Sequence, residues 1–134
     1  MTGVQTCALP IFSRLDFSNE TVSNPGKNLP TARYNLAATS SSSYGYFGGG
    51  VGINTISRLD FSSETTSDPG KNLPYAINYL AATASTSYGY FGGGYVPLST
   101  YRNTISRLDF STENVSLPGK DLLTASGLLA AVSN

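Results

Sequence analysis

One hexapeptide, Ser-Arg-Leu-Asp-Phe-Ser, begins at residues 13, 57 and 106, so successive copies lie 44 and 49 residues apart. Other strings keep step with it. Pro-Gly-Lys begins at 25, 69 and 118, Leu-Ala-Ala at 36, 80 and 129, and Ser-Tyr-Gly-Tyr-Phe-Gly-Gly-Gly at 43 and 87. A repeat of this period constrains the fold more than any composition does. Each copy is one supersecondary unit that cannot bury its apolar faces alone, and stacking of neighbours builds the core. The whole length difference falls between the triple glycine and the next Asn-Thr-Ile. That stretch is Val51-Gly52-Ile53 in one copy and residues 95–102 in the other. An insertion confined to one place marks a surface loop between fixed elements.

The units are all-β by pattern. Residues 55–61 alternate between a face with Ile56, Arg58 and Asp60 and a face with Ser57, Leu59 and Phe61, the period of a strand. Residues 87–91 form a second strand, stopped by Gly92-Gly93-Gly94, and Gly45 and Gly89 within such strands suggest close backbone approach. The Leu-Ala-Ala runs favour helix by propensity alone. Their length and Ser/Thr flanks favour strands. A polar fourth strand precedes each Pro-Gly turn. Strands are expected near 34–39, 43–48, 55–61, 78–83, 87–92 and 104–110. Terminal strands at 12–17 and 128–132 are expected to lack partners within their own units.

In this order the residues resemble a kelch repeat. Leu-Ala-Ala-Thr is followed by Tyr-Gly-Tyr-Phe-Gly-Gly, a variable loop, Ile-Ser-Arg-Leu-Asp-Phe, and then Glu113-Asn114-Val115-Ser116. The resemblance implies an all-β fragment of a kelch-like β-propeller. It has two complete four-stranded blades, 29–71 and 72–120, with partial blades at 12–28 and 121–134. The chain departs from the family in two places. Val22, Thr66 and Val115 lie near the position of the family's Trp, and Phe17, Phe61 and Phe110 replace its Tyr. The triple-glycine, Tyr-rich variant also resembles repeats in environmental and viral reading frames. The third copy stops where its second strand should begin, so the natural chain is expected to continue.

Residues 1–11, Met-Thr-Gly-Val-Gln-Thr-Cys-Ala-Leu-Pro-Ile, resemble the conceptual translation of a sequencing adapter. The repeat pattern supports a break there, because the first copy matches the others from Ser13 onward and fails at Ile11. A secretory signal fits poorly, since there is no positive n-region and Gln5 and Thr6 interrupt the apolar run. This segment is taken as non-native, and the single Cys of the chain goes with it.

Composition narrows the chemistry. The chain has no His, one Cys and net charge zero. A His-based triad, an imidazole metal site and a disulfide framework are excluded. No basic run invites nucleic acid, and no apolar stretch reaches bilayer length. The couples Arg14/Asp16, Arg58/Asp60 and Arg107/Asp109 recur in every copy. A catalytic site is normally assembled once, so these are expected to be structural ion pairs or hydrogen-bond partners between blades. Glu20, Glu64 and Glu113 recur four residues after each Asp. Asp60, Glu64 and Asp68 suggest calcium only weakly, because no EF-hand loop is present. The triple glycines lack the Gly-Lys-Ser/Thr ending of a phosphate loop. No catalytic, cofactor or metal residue is assigned.

The variable loop supplies the candidate contact residues Tyr95, Tyr101 and Arg102, since Tyr-, Ser-, Gly- and Asn-rich surfaces make adaptable contacts. The leading expectation is a non-enzymatic recognition or scaffold module. It would belong to a larger extracellular or virion-associated, tail-fibre-like protein that binds a glycan or protein receptor. No nucleic acid, membrane or cofactor is expected, and self-association is. An intracellular kelch-type adaptor is the alternative, and a propeller enzyme the third.

Overall fold

A computed structural model describes residues 13–133, so the expectations about residues 1–11 lie outside the described residues. Ten short strands follow one another: β1 (Arg14–Asp16), β2 (Thr21–Ser23), β3 (Ala37–Ser40), β4 (Tyr44–Gly48), β5 (Ile56–Asp60), β6 (Thr66–Ser67), β7 (Ala81–Ala84), β8 (Tyr88–Gly92), β9 (Ile105–Asp109) and β10 (Val115–Ser116). They form two four-stranded antiparallel meanders, β3-β4-β5-β6 and β7-β8-β9-β10, and the hairpin β1-β2. The architecture is all-β, and it is consistent with part of a propeller-like repeat. The Ala/Leu segments do not form helix. Ala37 and Ala81 instead pair with Gly48 and Gly92 across the first two strands of each sheet. Pairing and burial outweigh a helix preference of a few tenths of a kcal/mol per residue.

Two expectations about the ends are corrected. The strand expected at 12–17 is described as Arg14–Asp16 and is paired on one edge, where Arg14, Leu15 and Asp16 face Ser23, Val22 and Thr21; among the described residues no strand pairs with its other edge. Residues 128–132 form no strand. They lie beside β7 through two bonds, Leu128 N–H to the Tyr79 carbonyl (2.9 Å) and the Thr83 hydroxyl to the Val132 carbonyl (2.7 Å).

The same turn recurs in each unit. Asp60 Oδ1 accepts from the backbone and hydroxyl of Ser62, at 2.8 and 2.6 Å. Asp109 does the same with Ser111, and Asp16 with Ser18. Such Asx turns stand in for a backbone turn. Each brings the next glutamate into the left-handed region: Glu20, Glu64 and Glu113 have φ of 56°, 53° and 56°. A non-glycine residue there costs roughly 1–2 kcal/mol. The triple glycines serve close approach. A Cβ on Gly49 would stand 2.6 Å from the Ile77 carbonyl oxygen, and one on Gly93 would stand 2.6 Å from that of Ser126. Gly50 and Gly94 donate to those same carbonyls, at 2.9 and 2.7 Å.

The core lies between the two large sheets. The sheets approach through their first strands, β3 and β7. Ala37, Tyr46 and Ile56 from one sheet and Phe91 and Leu108 from the other are buried there, with Leu73, Ile77 and Leu80 from the connection between the sheets. Thr39 donates across the seam to the Thr83 carbonyl at 2.8 Å.

Candidate functional site

The recurrent charged residues are placed between units. Arg58 lies over the Tyr44 ring, 4.8 Å from its centroid, and donates from Nη1 to Glu113 Oε1 at 2.8 Å. The Tyr46 hydroxyl donates to the same oxygen at 3.1 Å. Phe110 stacks on the Tyr46 ring, with centroids 5.4 Å apart and planes 12° from parallel. Burial, with the Glu113 carboxylate beside it, holds the Tyr46 hydroxyl above its ordinary pKa, and the hydrogen bond to Glu113 raises that of Arg58. One unit earlier, Arg14 pairs with Glu64. The ion-pair partner of Arg14 and of Arg58 is therefore the left-handed glutamate of the next unit, rather than the aspartate two residues along its own strand. Asp16, Asp60 and Asp109 serve the turns. Their carboxyls are held below the ordinary value, first by the hydroxyls of Ser18, Ser62 and Ser111.

The recurrence of Glu20, Glu64 and Glu113 was visible in the sequence, but no role was assigned to it. Among the described residues, no three His, Cys, Asp or Glu side chains gather as a metal site. The signal for their actual role was recurrence in register with an arginine. The assignment needed the sheet-to-sheet stagger, which a strand pattern does not contain. Arg33 was also missed. Its guanidinium bonds the Gly49 and Thr55 carbonyls, at 3.2 and 2.7 Å, and the Ser57 hydroxyl. Burial lowers its pKa.

The inserted loop is an ordered small hairpin. Tyr95 bridges Asn78 on one side and Tyr101 on the other, and Val96 N–H and Ser99 N–H close the turn onto the Thr100 and Val96 carbonyls. The Tyr95 and Tyr101 rings lie 5.3 Å apart at 57°. Arg102 covers the Tyr75 ring at 4.7 Å, and its backbone is fixed at both ends by Gly94 and Ser126. Val96 packs against the core, while Leu98, at the tip, is 103% exposed. The three candidate contact residues thus sit together on a braced element. Tyr101 is its exposed aromatic face, and Arg102 braces its base.

At the opposite end of the sheets, the β3–β4 and β7–β8 turns enclose an open groove of about 460 Å³. It is lined by Ser42, Ser43, Tyr44, Ser87, Tyr88 and Asp109, among others. Hydroxyls and aromatic edges without an acid–base pair can bind a polar ligand but do not define a reaction. Comparison with protein-family models and with curated proteins returned no match. The geometry defines a class: an all-β repeat module of blade-like sheets, compatible with a binding or scaffold role.

Proposed function

We propose that this chain is a kelch-like, non-enzymatic recognition module. In this reading it serves an extracellular or virion-associated protein and contacts a glycan or protein receptor through the 95–102 hairpin. The observation that carries the reading is the fate of the five extra residues. They fold into a braced hairpin with the Tyr95–Tyr101 pair and an exposed tip, whereas Arg14, Arg58, Glu64 and Glu113 are engaged in unit-to-unit contacts. Aromatic side chains supply large contact area with little conformational entropy to lose. A rigid sheet also limits the ordering cost of binding.

The test exploits the other unit, which closes the same connection with Val51-Gly52-Ile53. Replacing residues 95–102 by Val-Gly-Ile is expected to leave the fold intact. Binding of the chain to a glycan array, or to candidate receptor ectodomains, is expected to fall at least about tenfold, the loss that follows removal of one good aromatic anchor. Retained binding in the short-loop variant would move the site to the hydroxyl-lined groove and overturn the reading.

A further inference from the structure

The chain makes one kind of unit-to-unit contact internally and displays the two halves of another. In the β3–β6 sheet, Thr39, Tyr46 and Arg58 lie side by side in register on one face. The next unit covers that row by stacking Phe110 on Tyr46 and placing the Glu113 carboxylate on Tyr46 and Arg58. In the β7–β10 sheet, Thr83, Tyr90 and Arg107 form the same row. Arg107 lies over Tyr88 at 4.8 Å, just as Arg58 lies over Tyr44. Among the described residues no carboxylate forms an ion pair with Arg107, and Tyr90 is only half-buried. Beside this row runs an apolar groove of about 340 Å³, bounded by Ile105, Leu122 and Leu129.

The matching half lies on β1–β2. Leu15, Phe17, Glu20 and Val22 occupy the positions of Leu108, Phe110, Glu113 and Val115. Glu20 has the same left-handed φ as Glu113, 56° in both, on the same Asx turn. In the second large sheet Leu108 is buried, and Phe110 and Val115 pack against the core. On β1–β2 the counterparts stand open: Phe17 is 88% exposed and Val22 70%.

We propose that a second copy of this chain docks head to tail on this face. Its Phe17 stacks on Tyr90, and its Glu20 accepts from Arg107 and the Tyr90 hydroxyl. The occupant is set by complementarity. The open row needs an aromatic ring and a carboxylate at a fixed offset on a rigid hairpin, and β1–β2 presents that pair. The contact is heterologous, so it propagates into a ring or a filament rather than a closed two-fold dimer.

Sedimentation velocity of the full chain over a concentration series tests this. The parent is expected to form a ladder of oligomers. Glu20→Arg and Arg107→Glu, each alone, place like charges together and are expected to weaken association at least about tenfold. An equimolar mixture of the two variants is expected to regain it. Glu20→Gln, at an exposed position that leaves folding intact, is expected to weaken it as well. A parent that stays monomeric, association unchanged by the Glu20 variants, or a mixture that fails to recover would each overturn the proposal.

Discussion

The two four-stranded sheets carry nearly the same strands, yet they hold them in different environments. Tyr46 in β4 is 0% exposed, while Tyr90 in β8 is half-buried; Ile56 is 0% exposed, and its counterpart Ile105 is half-buried. Hydrogen-bond register, turn geometry and strand length agree between the sheets. The difference is the neighbour. β3–β6 has a complete sheet against its tyrosine face, and among the described residues β7–β10 has only residues 121–133. Burial in this fold is thus a property of the pair of units rather than of the unit, as expected where stability is a sum of unit and nearest-neighbour terms. The hydrophobic contribution, about 25 cal/mol per Å² of apolar surface covered, is concentrated at the seam between the sheets.

The sharpest way to break this comparison is a graded deletion at one repeat position. Leu108→Ala empties a fully buried site at the seam and is expected to cost about 2–5 kcal/mol in denaturant unfolding. Leu59→Ala, at a partly covered counterpart, is expected to cost less, and Leu15→Ala, on the open hairpin, least of all. Equal losses at the three sites would show that each unit holds its own core.

A smaller effect is expected where only a polar contact differs. Tyr46→Phe leaves the Glu113 carboxylate without its hydroxyl donor and is expected to lower stability by about 1.5 kcal/mol, the range for hydrogen bonds to charged groups. Tyr90→Phe is expected to change it by less than about 0.5 kcal/mol. Measured by urea unfolding below the concentration at which copies associate, the two values separate the covered face from the open one.

The smallest effect concerns acid. The Asp60 and Asp109 carboxyls titrate below their ordinary value because they accept from Ser62 and Ser111. Their folded pKa is depressed, so their contribution is present above the unfolded value near 3.9. It is lost as pH falls through the folded pKa. Ser62→Ala and Ser111→Ala are expected to raise these carboxyl pKa values in an NMR titration and to flatten the loss of stability below about pH 4. Both turns are expected to respond alike, because this element is local and independent of the neighbour.

That distinction also marks how far the sequence reaches. The strands β3 to β5 and β7 to β9 were legible because alternation and glycine stops are local signals. So was the four-strand order, from the repeat of Leu-Ala-Ala, Tyr-Gly-Tyr-Phe and Ser-Arg-Leu-Asp. The placement of Glu113 on Arg58 was not legible. It depends on a left-handed residue and on the stagger of two sheets, neither of which a period-2 pattern encodes. The loop at 95–102 was legible as an insertion. Its closure into a hairpin depended on Tyr95 finding Asn78, a contact set by the fold. The strand expected at 128–132 shows the converse: an apolar run with strand character remains irregular where its neighbour β7 reaches it through isolated bonds rather than a ladder.

The comparison of the two sheets implies that a neighbouring unit completes the face of β7–β10. The most direct measurement is the denaturant midpoint of a chain in which residues 72–120 are duplicated in tandem, compared with the parent at matched low concentration. The account predicts a higher midpoint and a steeper denaturant dependence, as the added unit covers Tyr90, Ile105 and Arg107 and enlarges the surface exposed on unfolding. A midpoint unchanged by the added unit, with Tyr90 as accessible as before, would contradict it.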